Sequence, residues 1–257
     1  MTLVPISIYD ELEFRVSTVG GISLVVDAPE PLGAPEDNLA YRAAAAFQER
    51  ARLTLALQIH LRKRIPAGAG LGGGSGNAAG TLLALNAMHG HPLQNAELDQ
   101  LALQLGADVP FFLNPVPSHA TGRGERLSPL SAFPRLALVV VKPPLSISTR
   151  AAYEGVTRFS TNRAAPPLAT LPQVLGAMEN QFEASLFKAH PHLAEVKRRL
   201  LEAGAAGALL SGSGAALFGV FEDEAARDDA AAGLARESSW QVFSCETLTR
   251  HTYLPGA

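Results

Sequence analysis

A single cysteine, Cys245, occurs in 257 residues, so neither an intramolecular disulfide nor a thiolate metal cluster can be built. That usage suits a reducing compartment, and a cytoplasmic location is expected. Charge is also sparse. Charged residues make up 18% of the chain and the net charge is -3, which gives no bulk basicity for holding nucleic acid or a membrane surface. No stretch approaches the roughly 18 consecutive apolar residues of a membrane helix. The opening Met1-Thr2-Leu3-Val4-Pro5, followed by Asp10 and Glu11, lacks the basic region and apolar run of a signal peptide. No internal repeat is present. The expected partner is therefore a small molecule rather than nucleic acid or membrane, with the chain acting as a monomer or homodimer. Any anion must be held by local groups.

What is present is enough apolar material for a core. At 47% hydrophobic content the chain can fill one large domain or two modest ones. Leu12 to Val16 alternates like a half-buried strand, and Ile22 to Val26 is expected to pair with it across a turn at Gly20-Gly21. Asp37 and Asn38 are candidate caps for an Ala-rich helix through Arg50. Leu53, Leu55, Leu57, Ile59 and Leu61 recur at every second position, which predicts a strand closed by Arg62-Lys63-Arg64. Helices are predicted from the glycine-rich stretch to about His89, over Asn95–Leu105, Gln173–Ala189, Leu193–Ala203 and Glu224–Arg236. Strands are predicted at Leu136–Val141, Ala208–Leu210, Ala216–Phe221 and Gln241–Glu246. Strands and helices mix without strict alternation, so the class is α+β. The pattern changes near Phe133-Pro134, and domains of 1–133 and 134–257 are expected.

The most informative segment is Pro66-Ala67-Gly68-Ala69-Gly70-Leu71-Gly72-Gly73-Gly74-Ser75-Gly76, set between a strand and a helix. Glycines permit positive φ and close approach of backbone to a ligand. Successive amides in such a turn make an anion concavity, and the following helix adds its positive dipole end. Phosphate is the natural guest. Ser75 can cap the helix and offer its hydroxyl to a phosphate or Mg²⁺. A plain flexible loop fits less well, because Leu71 and an immediate helix follow. The spacing misses the dinucleotide fingerprint, and no Gly-Lys-Ser/Thr of a Walker A loop occurs.

Gly70-Leu71-Gly72-Gly73-Gly74-Ser75-Gly76-Asn77 resembles the phosphate motif of the galactokinase, homoserine, mevalonate and phosphomevalonate (GHMP) kinase superfamily. It is most similar to the branch acting on 4-diphosphocytidyl-2-C-methyl-D-erythritol. Pro35-Glu36-Asp37-Asn38-Leu39 resembles the segment beside the adenine. Leu105 to Phe112 resembles the motif of the catalytic aspartate, here Asp108. Gly122-Arg123-Gly124-Glu125 resembles a family turn, and Lys142-Pro143-Pro144 with Ser146 to Thr149 resembles the strand and loop beside the cytidine. Asn180-Gln181-Phe182-Glu183 and Leu210-Ser211-Gly212-Ser213-Gly214 resemble two further motifs. The resemblance implies a two-domain fold, with an N-terminal domain like domain 2 of ribosomal protein S5 and a ferredoxin-like C-terminal domain. It also implies ATP and Mg²⁺ as cofactors and 4-diphosphocytidyl-methylerythritol as substrate. The ATP side is assigned to Pro66, Gly68, Gly70, Leu71, Gly72, Gly73, Gly74, Ser75, Gly76, Asn38, Leu39 and Lys63, with Ser75 toward the metal. The substrate side is assigned to Ser148, Thr149, Gly212 and Ser213. Bland alternatives stay open. Lys63 is equally a solvated strand end, Ser148 and Thr149 a capped helix start, Gly212–Gly214 a simple β-turn, and Asp108 a helix-end carboxylate before a Val-Pro strand. The family's opening Ala-Lys-x-Asn and Asp-Gly-Tyr-His segments have no counterpart here, and the expectation is that Met1 is an internal methionine of a longer protein; the alternatives are another small-molecule kinase of the GHMP family or an inactive nucleotide-binding truncation.

Overall fold

The computed structural model describes residues 1–155, 167–237 and 239–249. Parts of the expected second domain, residues 156–166, 238 and 250–257, lie outside the described residues. In the first half, β2 (Glu11–Val16), β3 (Gly21–Asp27) and β4 (Ala56–Arg62) form one sheet in the order β2-β4-β3. The predicted hairpin between the first two does not form: β3 runs parallel to β4, and β2 pairs with the other side of β4, antiparallel. The strand with the strongest alternation takes the centre. Its Leu57, Ile59 and Leu61 are buried, and a central position lets both neighbours share that apolar face.

Three helices cover this face: α1 (Leu39–Ala51), α2 (Gly73–Met88) and α3 (Asn95–Leu105). Ala43 and Ala44 on α1 and Ala78 and Ala79 on α2 are fully buried, and short side chains allow the two helices to approach closely. Phe47 fills the space between these layers, and full burial of such a ring contributes about 1.5–3 kcal/mol. A short helix, α4 (Val109–Leu113), and a hairpin of β5 (Ser118–Thr121) and β6 (Arg126–Pro129) follow; β1 (Thr2–Leu3) pairs with β5.

The second half is a four-stranded antiparallel sheet, β7 (Ala137–Lys142), β8 (Gly207–Leu210), β9 (Leu217–Phe221) and β10 (Gln241–Glu246), in the order β10-β7-β9-β8. With α5 (Thr149–Glu154), α6 (Leu171–Gly176), α7 (Phe182–Ala189) and α8 (Pro191–Glu202) before β8, and α9 (Glu224–Leu234) before β10, this is the ferredoxin-like arrangement. The helix predicted over Gln173–Ala189 is two helices; the chain breaks between Ala177 and Gln181, where Asn180 turns its side chain onto the backbone of Phe182 (2.9 Å).

Every residue of β7 is buried, because both faces of its sheet are covered. Ala137, Val139 and Val141 face the helices. Leu138 and Val140 face a second cluster that contains Ala69 and Leu71 of the glycine-rich turn, with Ile6 and Ile8 of the opening segment. The two halves therefore meet through the very turn the sequence singles out.

Candidate active site

Between β4 and α2 the chain makes three left-handed bends, at Gly68 (φ 65°), Gly70 (77°) and Gly72 (70°). A Cβ at Gly72 would lie 2.6 Å from Cζ of Phe112, so only glycine lets that ring close over the turn. Helix α2 begins directly afterwards. Its first internal bond runs from the Gly76 amide to the Gly72 carbonyl (2.8 Å), which leaves the amides of Gly73, Gly74 and Ser75 pointing out of the helix end. No side chain caps this end among the described residues. Ser75 is the third helical residue, so the expected capping role passes to Gly72: a left-handed entry places no side chain where a cap would reach. An uncapped helix N-terminus of this kind is chemically an anion receptor.

The second glycine turn docks on the first. The Ala215 and Ala216 amides donate to the Gly68 and Ala69 carbonyls (3.3 and 3.1 Å), and the Ser211 hydroxyl donates to the Gly70 carbonyl (2.9 Å). A Cβ on Gly70 would come within 2.9 Å of the Gly214 nitrogen, and one on Gly214 within 2.5 Å of the Ala69 oxygen. Gly212, at φ 56°, lies against the same Gly70 carbonyl. Segment 212–214 is thus a docked interface and not merely a β-turn. Beside it, the Ser213 hydroxyl reaches the Thr149 hydroxyl at 3.5 Å, at the start of α5.

Asp108 sits at the N-terminal boundary of α4, since Val109-Pro110 opens a helix and not the strand of the bland alternative; proline is well accommodated in a first helical turn. Phe112 lies one turn, about 6 Å, further along and packs on Gly72 and Gly76, so α4 lies against the glycine turn. The hairpin turn lies beside it. A Cβ on Gly124 would stand 3.2 Å from the Asp108 carboxylate and 2.8 Å from Cε of Met1, so glycine is what lets the Met1 side chain and the carboxyl pack there. Asp108 keeps contact with solvent, yet the protein around it desolvates the carboxyl and raises its pKa.

On the far side of the turn, the Asn38 side chain caps α1 by accepting from the Ala40 amide (3.0 Å), and Leu39 approaches Gly74. Lys63 is not solvated. It forms a buried ion pair with Asp10, the two side chains being 7% and 2% exposed. A Cβ on Gly73 would lie 3.1 Å from its ammonium, so this charge stands at the foot of α2. Asp10 also accepts from the Arg64 and Ile65 amides (2.7 and 2.8 Å). Lys63 and Pro66 line a narrow cleft with Ala28, Pro29, Leu32 and Lys142. Lys142 is buried and donates to the Pro143 and Leu145 carbonyls (3.0 and 2.7 Å); burial lowers its pKa, opposed by the charge of Glu30. These bonds fold the following loop back until Ser146 touches Gly68. The Ser148 hydroxyl accepts from the Ala151 amide (3.2 Å) and so serves as the cap of α5.

Residues 38–114 match the family model described as the GHMP kinases N terminal domain, and 168–238 match GHMP kinases C terminal. The 4-diphosphocytidyl-2-C-methyl-D-erythritol kinase of Syntrophus aciditrophicus is 39% identical over 250 residues, covering 95% of this chain and 88% of its own. That of Pelotomaculum thermopropionicum is 41% identical over 240 residues, covering 90% and 83%. The chain belongs to the 4-diphosphocytidyl-2-C-methyl-D-erythritol kinases, within the GHMP kinases. A crystal structure of 4-(cytidine 5'-diphospho)-2C-methyl-D-erythritol kinase superposes with a TM-score of 0.81 at 36% identity, covering 96% of this chain and 88% of that one. A homoserine kinase from Cytophaga hutchinsonii shares the fold at a TM-score of 0.70 and 18% identity, covering 94% and 86%.

For a kinase of this family the structure brings together the glycine turn, Gly212, Ser213 and Thr149, with Asp108 on the helix that packs against that turn. It sets Lys63 behind the turn, and commits Asn38 and Ser148 to helix caps. Asp10, Phe112 and Ser211 carry no site role in the sequence reading, since an Asp before a strand, one ring of a Phe pair and a turn serine have no distinguishing pattern. Their roles arise only from what packs against them.

Proposed function

We propose that this chain transfers the terminal phosphoryl group of ATP to the 2-hydroxyl of 4-diphosphocytidyl-2-C-methyl-D-erythritol, a step in the non-mevalonate route to isoprenoid precursors. The observation that carries the reading is the uncapped N-terminus of α2, with three outward amides, in a kinase whose α4 packs on that same turn and directly follows Asp108. The acceptor oxygen attacks the γ-phosphorus, the bond to the β,γ-bridging oxygen breaks, and ADP leaves with that oxygen's electrons. The proton of the acceptor hydroxyl goes to Asp108, which also orients it. Phosphoryl transfer needs position and charge neutralisation above all. The amides of Gly73, Gly74 and Ser75 hold phosphate oxygens, and the Ser75 hydroxyl would help hold a Mg²⁺, which when bound would neutralise charge on the phosphates. The nucleoside of ATP lies toward Asn38, Leu39 and the cleft of Lys63 and Pro66. The acceptor lies toward Ser148, Thr149, Gly212 and Ser213. The two functional halves divide near residue 133, so the reacting groups meet where the halves touch. Among the described residues no helix is long and apolar enough to cross a membrane; we place the enzyme in the cytoplasm, as a monomer or homodimer.

The test is a panel of acceptors with γ-labelled ATP. Label should pass to 4-diphosphocytidyl-2-C-methyl-D-erythritol and not to homoserine or mevalonate. Equal or preferred labelling of either alternative refutes the substrate assignment.

A further inference from the structure

The motif Asn180-Gln181-Phe182-Glu183 is left without a role by the reaction described above. Its position is specific. β8 is an edge strand, so the outward backbone groups of Leu210 have no neighbouring strand. Side chains of the motif take them instead. The Asn180 amide nitrogen donates to the carbonyls of Leu210 and Gly212, both at 2.8 Å, which uses both of its hydrogens. Glu183 accepts from the Leu210 amide (2.9 Å). Each side chain is itself held: Asn180 accepts from the Phe182 amide (2.9 Å), and Glu183 pairs with Lys197 (2.6 Å).

We infer that Asn180 and Glu183 are positioning residues for phosphoryl transfer, clamping the second glycine turn against Gly70. Gly212 stands in the left-handed region, and a turn built of Gly-Ser-Gly has little stiffness of its own. The clamp supplies it. One end of the clamped segment fixes Ser211 to the Gly70 carbonyl, within the phosphate turn. The other presents Ser213 to Thr149, on the acceptor side. A shift here misaligns acceptor and donor and leaves the outward amides of α2 in place. The inference rests on the kinase reading above.

The diagnostic variant is Asn180→Asp, which keeps the acceptor for Phe182 but sets an anion against two carbonyl oxygens. Asn180→Ala serves if the first fails to fold, and Leu98→Ala, a core truncation under α3, is the control for lost stability alone. The expected result is a kcat lowered about 10- to 100-fold, with KM for ATP changed less than about threefold, because misplacement of the order of 1 Å is that costly. Exchange of the Ala215 and Ala216 amides, which bond across to Gly68 and Ala69, should quicken about tenfold by loosened local opening. Leu98→Ala should lower Tm and leave both readouts unchanged. A folded Asn180 variant with wild-type kcat, or with wild-type exchange at those two amides, overturns the inference. If the wild type does not turn over 4-diphosphocytidyl-2-C-methyl-D-erythritol, the functional reading fails, and the exchange measurement alone decides the clamp.

Discussion

Gly70→Ala isolates the contact on which the geometry depends. Gly70 holds φ 77°, and its added Cβ would collide with the Ser211 carbonyl oxygen and stand 2.9 Å from the Gly214 nitrogen. Both obstacles are backbone, so no side chain can swing away. A left-handed alanine costs about 1–2 kcal/mol. Relieving the collision means backing the second turn off, which strains or breaks the bonds from Ser211, Ala215 and Ala216, each of net worth about 0.5–1.5 kcal/mol. A total near 3–5 kcal/mol follows. At about 2–4 °C per kcal/mol for a chain of this size, Tm should fall by roughly 6–20 °C. Activity measured well below that Tm should still be down about 100-fold, because the donor turn and Ser213 no longer share one frame. Gly74→Ala is the comparator. Its φ is helical and its Cβ would make ordinary contact at 3.5 Å with Leu39, so Tm should hold or rise slightly. The assay is thermal unfolding beside steady-state kinetics. If Gly70→Ala melts within about 2 °C of wild type and keeps its kcat, the two turns do not depend on each other.

Asp108→Asn should lower kcat by at least about 100-fold while raising Tm at pH 8. The sign follows from the raised pKa: the folded state disfavours the charged carboxyl, so stability is fullest below the unfolded pKa and declines as pH rises through the folded one. The Tm gain should therefore shrink in acid, and a gain that grows in acid contradicts the desolvation argument. Asp10→Ala strands a buried ammonium and the Arg64 and Ile65 amides together, and should cost about 3–5 kcal/mol in urea unfolding. A loss below about 1 kcal/mol would mean the pair is solvated in practice.

Much of this architecture is written in local pattern. The alternation from Leu53 to Leu61 named the strand β4, and the caps at Asn38 and the bounds of α3 were legible because they depend on neighbours in sequence. The pairing of β2 and β3 was not, since a glycine pair between two apolar runs fits a hairpin as well as a crossover. The break at Ala177–Gln181 was hidden for a related reason. Helical periodicity continues across it, and only the bonds of Asn180 to β8 show why the chain must stop.

By itself the sequence determined the chemistry on offer: a glycine series able to bend left-handed, an emerging helix, a carboxylate before Val-Pro, and too little basicity for a nucleic-acid partner. Those are properties of residue type and spacing. Tertiary structure alone decided which of them meet. Gly70 touches Gly214 across 144 positions of chain, Lys63 is neutralised by Asp10, and Phe112 packs the helix that follows Asp108 onto the turn, because burial of both faces of β7 and of one face of β4 forces distant segments together.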